Sequence, residues 1–239
     1  MTGEADLARI GSLLADRTRV TMLLALLAGR PMAASALADA SGVSPSLASA
    51  HLRKLVDGGL LVVEPMGRQR LFRLATSVAD ALEALLLLAP PDQVSSLRGA
   101  VRGRNLRRAR MCYDHLAGTV GVAVSEAMVR RGLLTEEPDE YRLTPAGALD
   151  LERLGIRVTS LERHRRPLAR RCMDWSERRA HLAGSLGAAL MSRLLILGWL
   201  RPHEASRVVT VTDDGRRGLD DWLGLDLRSG ATEGLGGHD

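Results

Sequence analysis

The stretch that decides the fold is Gly42-Val43-Ser44-Pro45-Ser46-Leu47-Ala48-Ser49-Ala50-His51-Leu52. Gly42 permits a tight turn. Ser44 suits the N-cap of a helix, and Pro45 suits its first helical position. The pattern predicts a helix that begins after Ser44 and runs to about Asp57. Its inward face is predicted to hold four apolar residues, Leu47, Leu52, Leu55 and Val56.

The flanking segments extend this helix into a recognisable order of elements. Upstream, residues 7–28 predict two helices, the second capped by Asp16, and a short helix follows them. Downstream, Gly58 and Gly59 end the helix, and two predicted strands, Leu60–Glu64 and Arg70–Leu74, flank a turn over Pro65–Gln69. Helix, helix, turn, helix and hairpin is the order of a winged helix-turn-helix.

That order predicts a DNA-binding surface. A helix fits the major groove, its N-terminal polar side chains meet base edges, and a basic hairpin tip reaches phosphate. An alternative is a winged helix that contacts protein, because residues 1–92 hold nine basic and nine acidic residues. The residues predicted to contact DNA are Ser35, Ser44, Pro45, Ser46, Ser49, Arg53, Arg68, Gln69 and Arg70.

Several short stretches, in this order, carry a family resemblance. They are Asp16-Arg17-Thr18-Arg19, Leu37-Ala38, the run from Ser44 to Leu52, Gly59-Leu60-Leu61 and Gly67-Arg68. They resemble the ArsR/SmtB family of repressors over about residues 5–90, which implies a dimeric DNA-binding repressor released by an inducer. Many metal-sensing members carry cysteines on the helix before the recognition helix, but Ala34–Ala40 has none. Members are also commonly about half this length.

The C-terminal two thirds contain an apparent duplication. His115–Ala123 matches His181–Ala189 at an offset of 66, as Gly132-Leu133-Leu134 matches Gly198-Trp199-Leu200. Each copy is expected to be a degraded winged helix with a largely apolar central helix, and the two central helices are predicted to pack against each other. Thr144 and Thr212 are predicted N-caps. The predicted domains are 1–90, 93–160 and 161–228, followed by a disordered tail over 229–239.

Each copy also carries a cysteine that follows an arginine cluster. The candidate effector residues are Cys112, Asp114, His115, Cys172, Asp174 and His181. If Cys112 and His115 lie one turn apart on a helix and the copies meet, two thiols and two imidazoles converge on a transition metal such as zinc. Cationic neighbours instead favour a reactive thiolate. A third interpretation has structural cysteines and an organic or anionic small-molecule effector.

A basic run precedes the first cysteine. It contains Arg98, Arg102, Arg104, Arg107, Arg108 and Arg110 and no acidic residue. The spacing predicts a helical stripe, which either flanks the DNA backbone or forms a solvated helix face.

Composition sets the fold class and excludes several functions. Hydrophobic residues make up 46% of 239 residues and aromatics only 3%, which favours packed helices. Together with the predicted hairpins, this gives a mainly α protein with small β-hairpin wings, an α+β fold. No apolar run is long enough for a membrane span, no secretory signal is evident, and two cysteines make no disulfide framework, so a cytoplasmic location is expected. No catalytic motif is present, so an enzyme is not expected. The predicted partners are operator DNA with an inverted repeat, a second copy of the chain and a small effector, with no membrane.

Overall fold

The computed structural model describes residues 5–67, 69–75, 77–90, 96–161, 163, 166–203 and 206–227. The chain divides into two compact units, the first built mainly from Met1–Ala89 and the second from most of the chain that follows. Both combine helices with small antiparallel sheets, which confirms the predicted fold class. Among the described residues, none of the helices has the length and apolar character needed to span a membrane. The predicted tail over 229–239 lies outside the described residues.

The first unit has the predicted order of elements. Its helices and strands are α1 (Leu7–Leu14), α2 (Arg17–Leu26), β1 (Met32–Ala33), α3 (Ala34–Ser41), α4 (Pro45–Asp57), β2 (Leu61–Met66), β3 (Gln69–Leu74) and α5 (Val78–Leu88). They enclose a leucine-rich core, in which each buried leucine contributes roughly 1.5–3 kcal/mol. The largest fully buried members are Met22, Leu23, Leu26, Leu27, Leu37, Leu52, Leu55, Leu61 and Leu74.

The recognition helix α4 begins and ends where the sequence predicts. Gly42 ends α3 with a left-handed φ of 66°, and the hydroxyl of Ser44 accepts a hydrogen bond from the amide of Leu47. The buried face consists of Ala48, Leu52 and Leu55, which are spaced by four and three residues. The prediction that Leu47 faces inward is wrong, because Ala48 takes that position and Leu47 is 46% exposed.

The wing is longer than predicted. Its strands pair from Leu61↔Leu74 to Met66↔Gln69, so Pro65 and Gln69 lie in strands and the turn is shorter than the predicted Pro65–Gln69. Pro65 is tolerated because β2 is an edge strand in the sheet order β1-β3-β2, where an amide donor is not required on the open side. Strand β1 was not predicted from the sequence, because two residues are too few to form an alternating pattern.

The junction of α1 and α2 is held by one buried arginine. Asp16 caps α2 as predicted, accepting a hydrogen bond from the amide of Arg19 at 2.9 Å. The Arg19 side chain in turn donates to the carbonyls of Leu13 (2.7 Å) and Ser12 (2.8 Å), which are among the last carbonyls of α1. Such terminal carbonyls have no partner inside their own helix. The Asp16-Arg17-Thr18-Arg19 stretch thus joins the end of one helix to the start of the next.

The chain after Ala89 opens with a helix, and the same order of hairpin, helix, hairpin and helix then occurs twice. Its elements are α6 (Leu97–Arg108), β4 (Arg110–Cys112), β5 (His115–Ala117), α7 (Gly118–Arg130), β6 (Leu134–Glu136), β7 (Tyr141–Leu143), α8 (Pro145–Arg153), α9 (Val158–Leu161), β8 (Arg170–Met173), β9 (Ala180–Ala183), α10 (Gly184–Ile196), β10 (Leu200–Pro202), β11 (Val209–Val211) and α11 (Asp213–Leu223). Thr144 and Thr212 cap α8 and α11 as predicted. The duplication itself stays a prediction.

The two central helices pack in a crossed arrangement. Helix α7 contacts strand β9, and helix α10 contacts strand β5, so each helix covers the hairpin of the other segment. The hydroxyl of Ser125 in α7 accepts a hydrogen bond from the amide of Leu182 in β9 at 2.8 Å. The chief contacts of these helices are therefore with hairpins, whereas we expected the helices to pack on each other.

Candidate functional site

The predicted DNA-contacting residues lie on two exposed surfaces of the first unit. All of them that the structure describes are exposed. They are Ser35, Ser44, Pro45, Ser46, Ser49 and Arg53 on or beside helices α3 and α4, and Gln69 and Arg70 on the wing. Arg68 lies outside the described residues. Ser49 donates a hydrogen bond to the carbonyl of Pro45 at 2.8 Å, whereas Arg53 makes no hydrogen bond or ion pair with any described residue. The Arg53 guanidinium is therefore available to an external acceptor.

A second cluster gathers four of the six candidate effector residues. Cys112 ends strand β4 and His115 begins strand β5, while Cys172 lies directly opposite His181 in the β8–β9 hairpin. One potential ligand atom from each residue lies within 4.8 Å of those of the other three, and all four residues are buried. Cys112 and His115 approach one another across a hairpin, so their expected placement on one helical turn is wrong.

The histidines present unused ring nitrogens to this cluster. Nδ1 of His115 lies 3.2 Å from Asp114 Oδ1, and Nδ1 of His181 lies 3.5 Å from Asp174 Oδ2 without an aligned hydrogen bond. The Nε2 atoms of both rings are buried and make no aligned hydrogen bond with any described residue. A buried polar atom without a partner is costly unless a ligand satisfies it. Nε2 of each ring is therefore available to an external ligand, while Nδ1 of each ring faces a carboxylate.

The two aspartates of the candidate set are engaged by arginines. Asp114 binds Arg166 through both carboxylate oxygens. Oδ1 of Asp174 lies 2.9 Å from Nη2 of Arg110, and the side chains of Asp174 and Arg110 are both fully buried. Burial raises the pKa of Asp114, but hydrogen bonds from His115 and Arg166 outweigh it and lower that pKa to about 2. Burial likewise raises the pKa of Asp174, but the charge of Arg110 prevails and lowers it to about 2. Both carboxylates are therefore ionised anchors beside the cluster.

These ion pairs change the expected electrostatics of the cluster. Arg110, predicted to continue the helical stripe, instead lies in strand β4 with its guanidinium carbon 4.5 Å from the centroid of the Trp175 ring. Its charge is balanced by Asp174, and that of Arg166 by Asp114, so these two cationic neighbours of the cysteines are paired with carboxylates. The ion pairs of Arg110 and Arg166 with these aspartates were not predicted, because each arginine cluster was associated with the cysteine that follows it in sequence.

The donor set suits a borderline transition metal. Two thiols and two imidazoles form a tetrahedral zinc site, with bonds of about 2.0–2.3 Å and hence ligand separations of roughly 3.4–3.8 Å. The separations of up to 4.8 Å would have to close by about 1 Å for one ion to be bound by all four residues. Burial lowers the pKa of His115, but the hydrogen bonds and charges of Asp114 and Cys172 raise it and prevail.

Comparison with known proteins identifies relatives along most of the chain. Residues 14–64 match a family model described as a helix-turn-helix domain. YdfF of Bacillus subtilis (strain 168), an uncharacterized HTH-type transcriptional regulator, is 40% identical over 223 residues, which are 93% of this chain and 99% of YdfF. The HTH-type transcriptional regulator Rv0324 of Mycobacterium tuberculosis is 28% identical over 58% of this chain and 76% of its own.

A solved structure is also similar to the first unit. It is the solution NMR structure of the homodimeric winged helix-turn-helix DNA-binding domain of Mb0332 from Mycobacterium bovis, a possible ArsR-family regulator. It is 31% identical, covers 37% of this chain and 89% of that domain, and has a TM-score of 0.32.

Proposed function

Because this chain belongs to the family of HTH-type transcriptional regulators, we propose that it is a homodimeric repressor whose affinity for operator DNA is controlled by a transition metal ion. The ion would bind Cys112, His115, Cys172 and His181. The observation that carries the proposal is the convergence of these four buried ligand atoms, two of them imidazole nitrogens without an aligned hydrogen bond.

The proposed DNA contacts rest on the exposed face of α4. Ser46, Ser49 and Arg53 would meet base edges in the major groove, and Gln69 and Arg70 would meet the backbone from the wing. Two copies related by a twofold axis would read an inverted repeat with half-sites about one helical turn apart. Specific protein–DNA interfaces commonly bury about 1,000–2,500 Å² of protein surface and single modules only about 600–1,000 Å², which favours the dimer.

The proposed metal site would use the residues of two hairpins. The thiols of Cys112 and Cys172 would lose their protons on binding, and Asp114 and Asp174 would hold the imidazoles through Nδ1 so that Nε2 coordinates. Zinc supplies strong, redox-inert coordination by such ligands. Binding would change the free energy of DNA binding by roughly 1–3 kcal/mol, the usual range of coupling between two sites.

A decisive test combines native mass spectrometry with DNA binding. The full chain, purified without chelator or added metal, is expected to carry one zinc ion per chain, and its affinity for a duplex selected from a random library should change when a chelator removes the ion. Cys172→Ser should lose the metal and the response to chelator. Met173→Ser is the matched control, because Met173 is the next residue of strand β8 and lies outside the cluster. A wild-type chain that binds no transition metal would refute the metal assignment.

A thiol sensor is the second candidate, favoured by the closeness of the two cysteine sulfurs. Both cysteines are reduced, and their Sγ atoms lie within 4.8 Å of one another. Two-electron oxidation by a peroxide would join them in a disulfide, with both thiol hydrogens passing into water and the alcohol of the reduced peroxide. A metal-free dimer in which each chain loses two hydrogens on peroxide treatment, and which then loses its DNA affinity, would support this candidate over metal sensing.

A further inference from the structure

The positive charge of the chain is concentrated on one helix. Helix α6 contains five arginines and no acidic residue, and the net charge of the whole chain is +5. The rest of the chain is therefore neutral overall. The first 92 residues, which include the recognition helix and the wing, hold nine basic and nine acidic residues. The unit that would read the bases thus lacks the surplus of cations that DNA-binding proteins use against phosphate.

Helix α6 turns its arginines to solvent. Its half-buried positions are Gly99, Ala100, Gly103 and Leu106, and the helix contacts α7. The exposed arginines are Arg98, Arg102, Arg104, Arg107 and Arg108, which we call the α6 arginine face. The five arginines occupy the remaining, exposed side of the helix, so their cationic side chains are all accessible to solvent.

In the part of the chain that the structure describes, no carboxylate pairs with this face. Arg98, Arg102, Arg104 and Arg107 make no ion pair with any described residue, and Arg108 donates only to the carbonyl of Leu227, at 3.2 Å. On α11, by contrast, Arg216 and Arg217 each bind an aspartate three residues earlier. Like charges four residues apart, as in Arg98 and Arg102, destabilise a helix. An uncompensated cationic face of this kind matches a polyanion.

We propose that the α6 arginine face binds backbone phosphates of duplex DNA, as a second contact outside the bases read by α4. The proposal rests on the DNA-binding function proposed above and assigns the source of its electrostatic affinity. Guanidinium groups bind phosphate oxygens in a bidentate manner, which suits this partner better than a point charge would. These contacts add affinity without sequence preference, because phosphates are the same at every step.

The test is the salt dependence of DNA binding by the full chain. The triple variant Arg98→Gln, Arg102→Gln, Arg104→Gln is compared with Arg130→Gln, Arg131→Gln, Arg153→Gln, which removes three exposed arginines elsewhere in the second unit that also make no ion pair with described residues. Both variants have the same net charge. Each is titrated with a random-sequence duplex several helical turns long over a range of salt concentrations, and circular dichroism checks that both retain the wild-type helix content.

We expect the slope of log affinity against log salt to become shallower by about 2–3 in the α6 variant, since each lost phosphate contact removes about 0.9. The control variant should keep the wild-type slope. Equal slopes in the two variants would overturn the inference while leaving the proposed function intact. A wild-type chain that binds neither selected nor random duplex would overturn both. An α6 variant that keeps its DNA slope but loses binding to phosphatidylserine vesicles would assign the face to a membrane instead.

Discussion

The imidazole rings of His115 and His181 lie with their centroids 5.1 Å apart and their planes inclined by 32°. Both side chains are almost fully buried, and 66 residues of sequence separate them. Each ring also contributes one nitrogen to the cluster of four potential ligand atoms. This pair therefore lies where strands β5 and β9 of the two hairpins meet.

Removing Arg53 should weaken DNA binding in a sequence-dependent way. Arg53 is exposed on α4, so Arg53→Ala should cost about 1–3 kcal/mol on a selected operator and much less on random duplex. Arg70→Ala, at the wing, should weaken binding to both duplexes by similar factors, because phosphate contacts carry no sequence information. Fluorescence anisotropy with the two duplexes measures both effects. An equal loss on both duplexes for Arg53→Ala would remove that residue from base reading.

Neutralising Asp174 should destabilise the second unit strongly. Asp174→Asn leaves Arg110 as a buried charge without its counterion, which costs about 3–5 kcal/mol. Urea unfolding in the presence of a chelator measures this loss apart from any metal effect. In protein that remains folded, zinc affinity should also fall roughly 10–100-fold, because the orientation of His181 is lost.

The control for this variant is Asp214→Asn. Asp214 pairs with Arg217 on the exposed surface of α11, so its loss should change the free energy of unfolding by no more than about 0.5 kcal/mol. If the two variants were equally stable, the Arg110–Asp174 pair would have no special role in the fold.

A methyl group at Gly118 should not fit. Gly118 has a φ of 82°, and a Cβ there would lie 2.4 Å from the carbonyl oxygen of Arg107. Gly132 also has a positive φ, of 69°, but an added Cβ would meet no atom within 4 Å. Gly132→Ala should therefore cost only the conformational strain, about 1 kcal/mol, whereas Gly118→Ala should cost several times more. Thermal unfolding of the two variants compares them directly, and similar losses would argue against a tight approach of α6 to α7.

Alkaline pH should weaken the second unit through Tyr141. Burial raises the pKa of Tyr141 to about 12, although the charge of Arg171 opposes the shift. Because the folded chain holds this proton more tightly than the unfolded chain, the stabilisation is complete below pH 10 and is lost as the pH rises toward 12. Urea unfolding on either side of pH 10 should show this loss in the wild type and a smaller one in Tyr141→Phe. Identical pH profiles would mean that Tyr141 ionises as readily in the folded chain as in the unfolded chain.

The local elements were predictable because their signals are local. Ser44, Pro45 and Gly42 fix the start of α4 and the turn before it through their own backbone preferences, and Thr144 and Thr212 do the same for α8 and α11. Leu47 was wrongly predicted to face inward because it is next to Ala48, and only one of two adjacent positions can face the core. In the structure, Ala48 is buried and Leu47 is exposed. Periodicity alone does not decide between such neighbours.

The site was predictable in its membership and less so in its geometry. The matched positions of Cys112 and Cys172, with a histidine near each, selected the four residues that converge. The hairpins that carry them were missed, because strands of three or four residues are too short for an alternating pattern. The pairing of Asp174 with Arg110 joins residues 64 positions apart, and no local rule predicts such a partner.

The crossed packing of α7 on β9 and of α10 on β5 has a consequence for how this chain can change over generations. A gene that lost the second segment would encode an α7 whose apolar face has no hairpin to cover. A gene that lost the first segment would leave the apolar face of α10 exposed in the same way. A substitution at Ser125 would likewise affect strand β9, because the amide of Leu182, 57 residues further along the chain, donates to the Ser125 hydroxyl. We therefore expect the two segments to be inherited together, because the loss or exchange of either one would expose the apolar face of the other's helix.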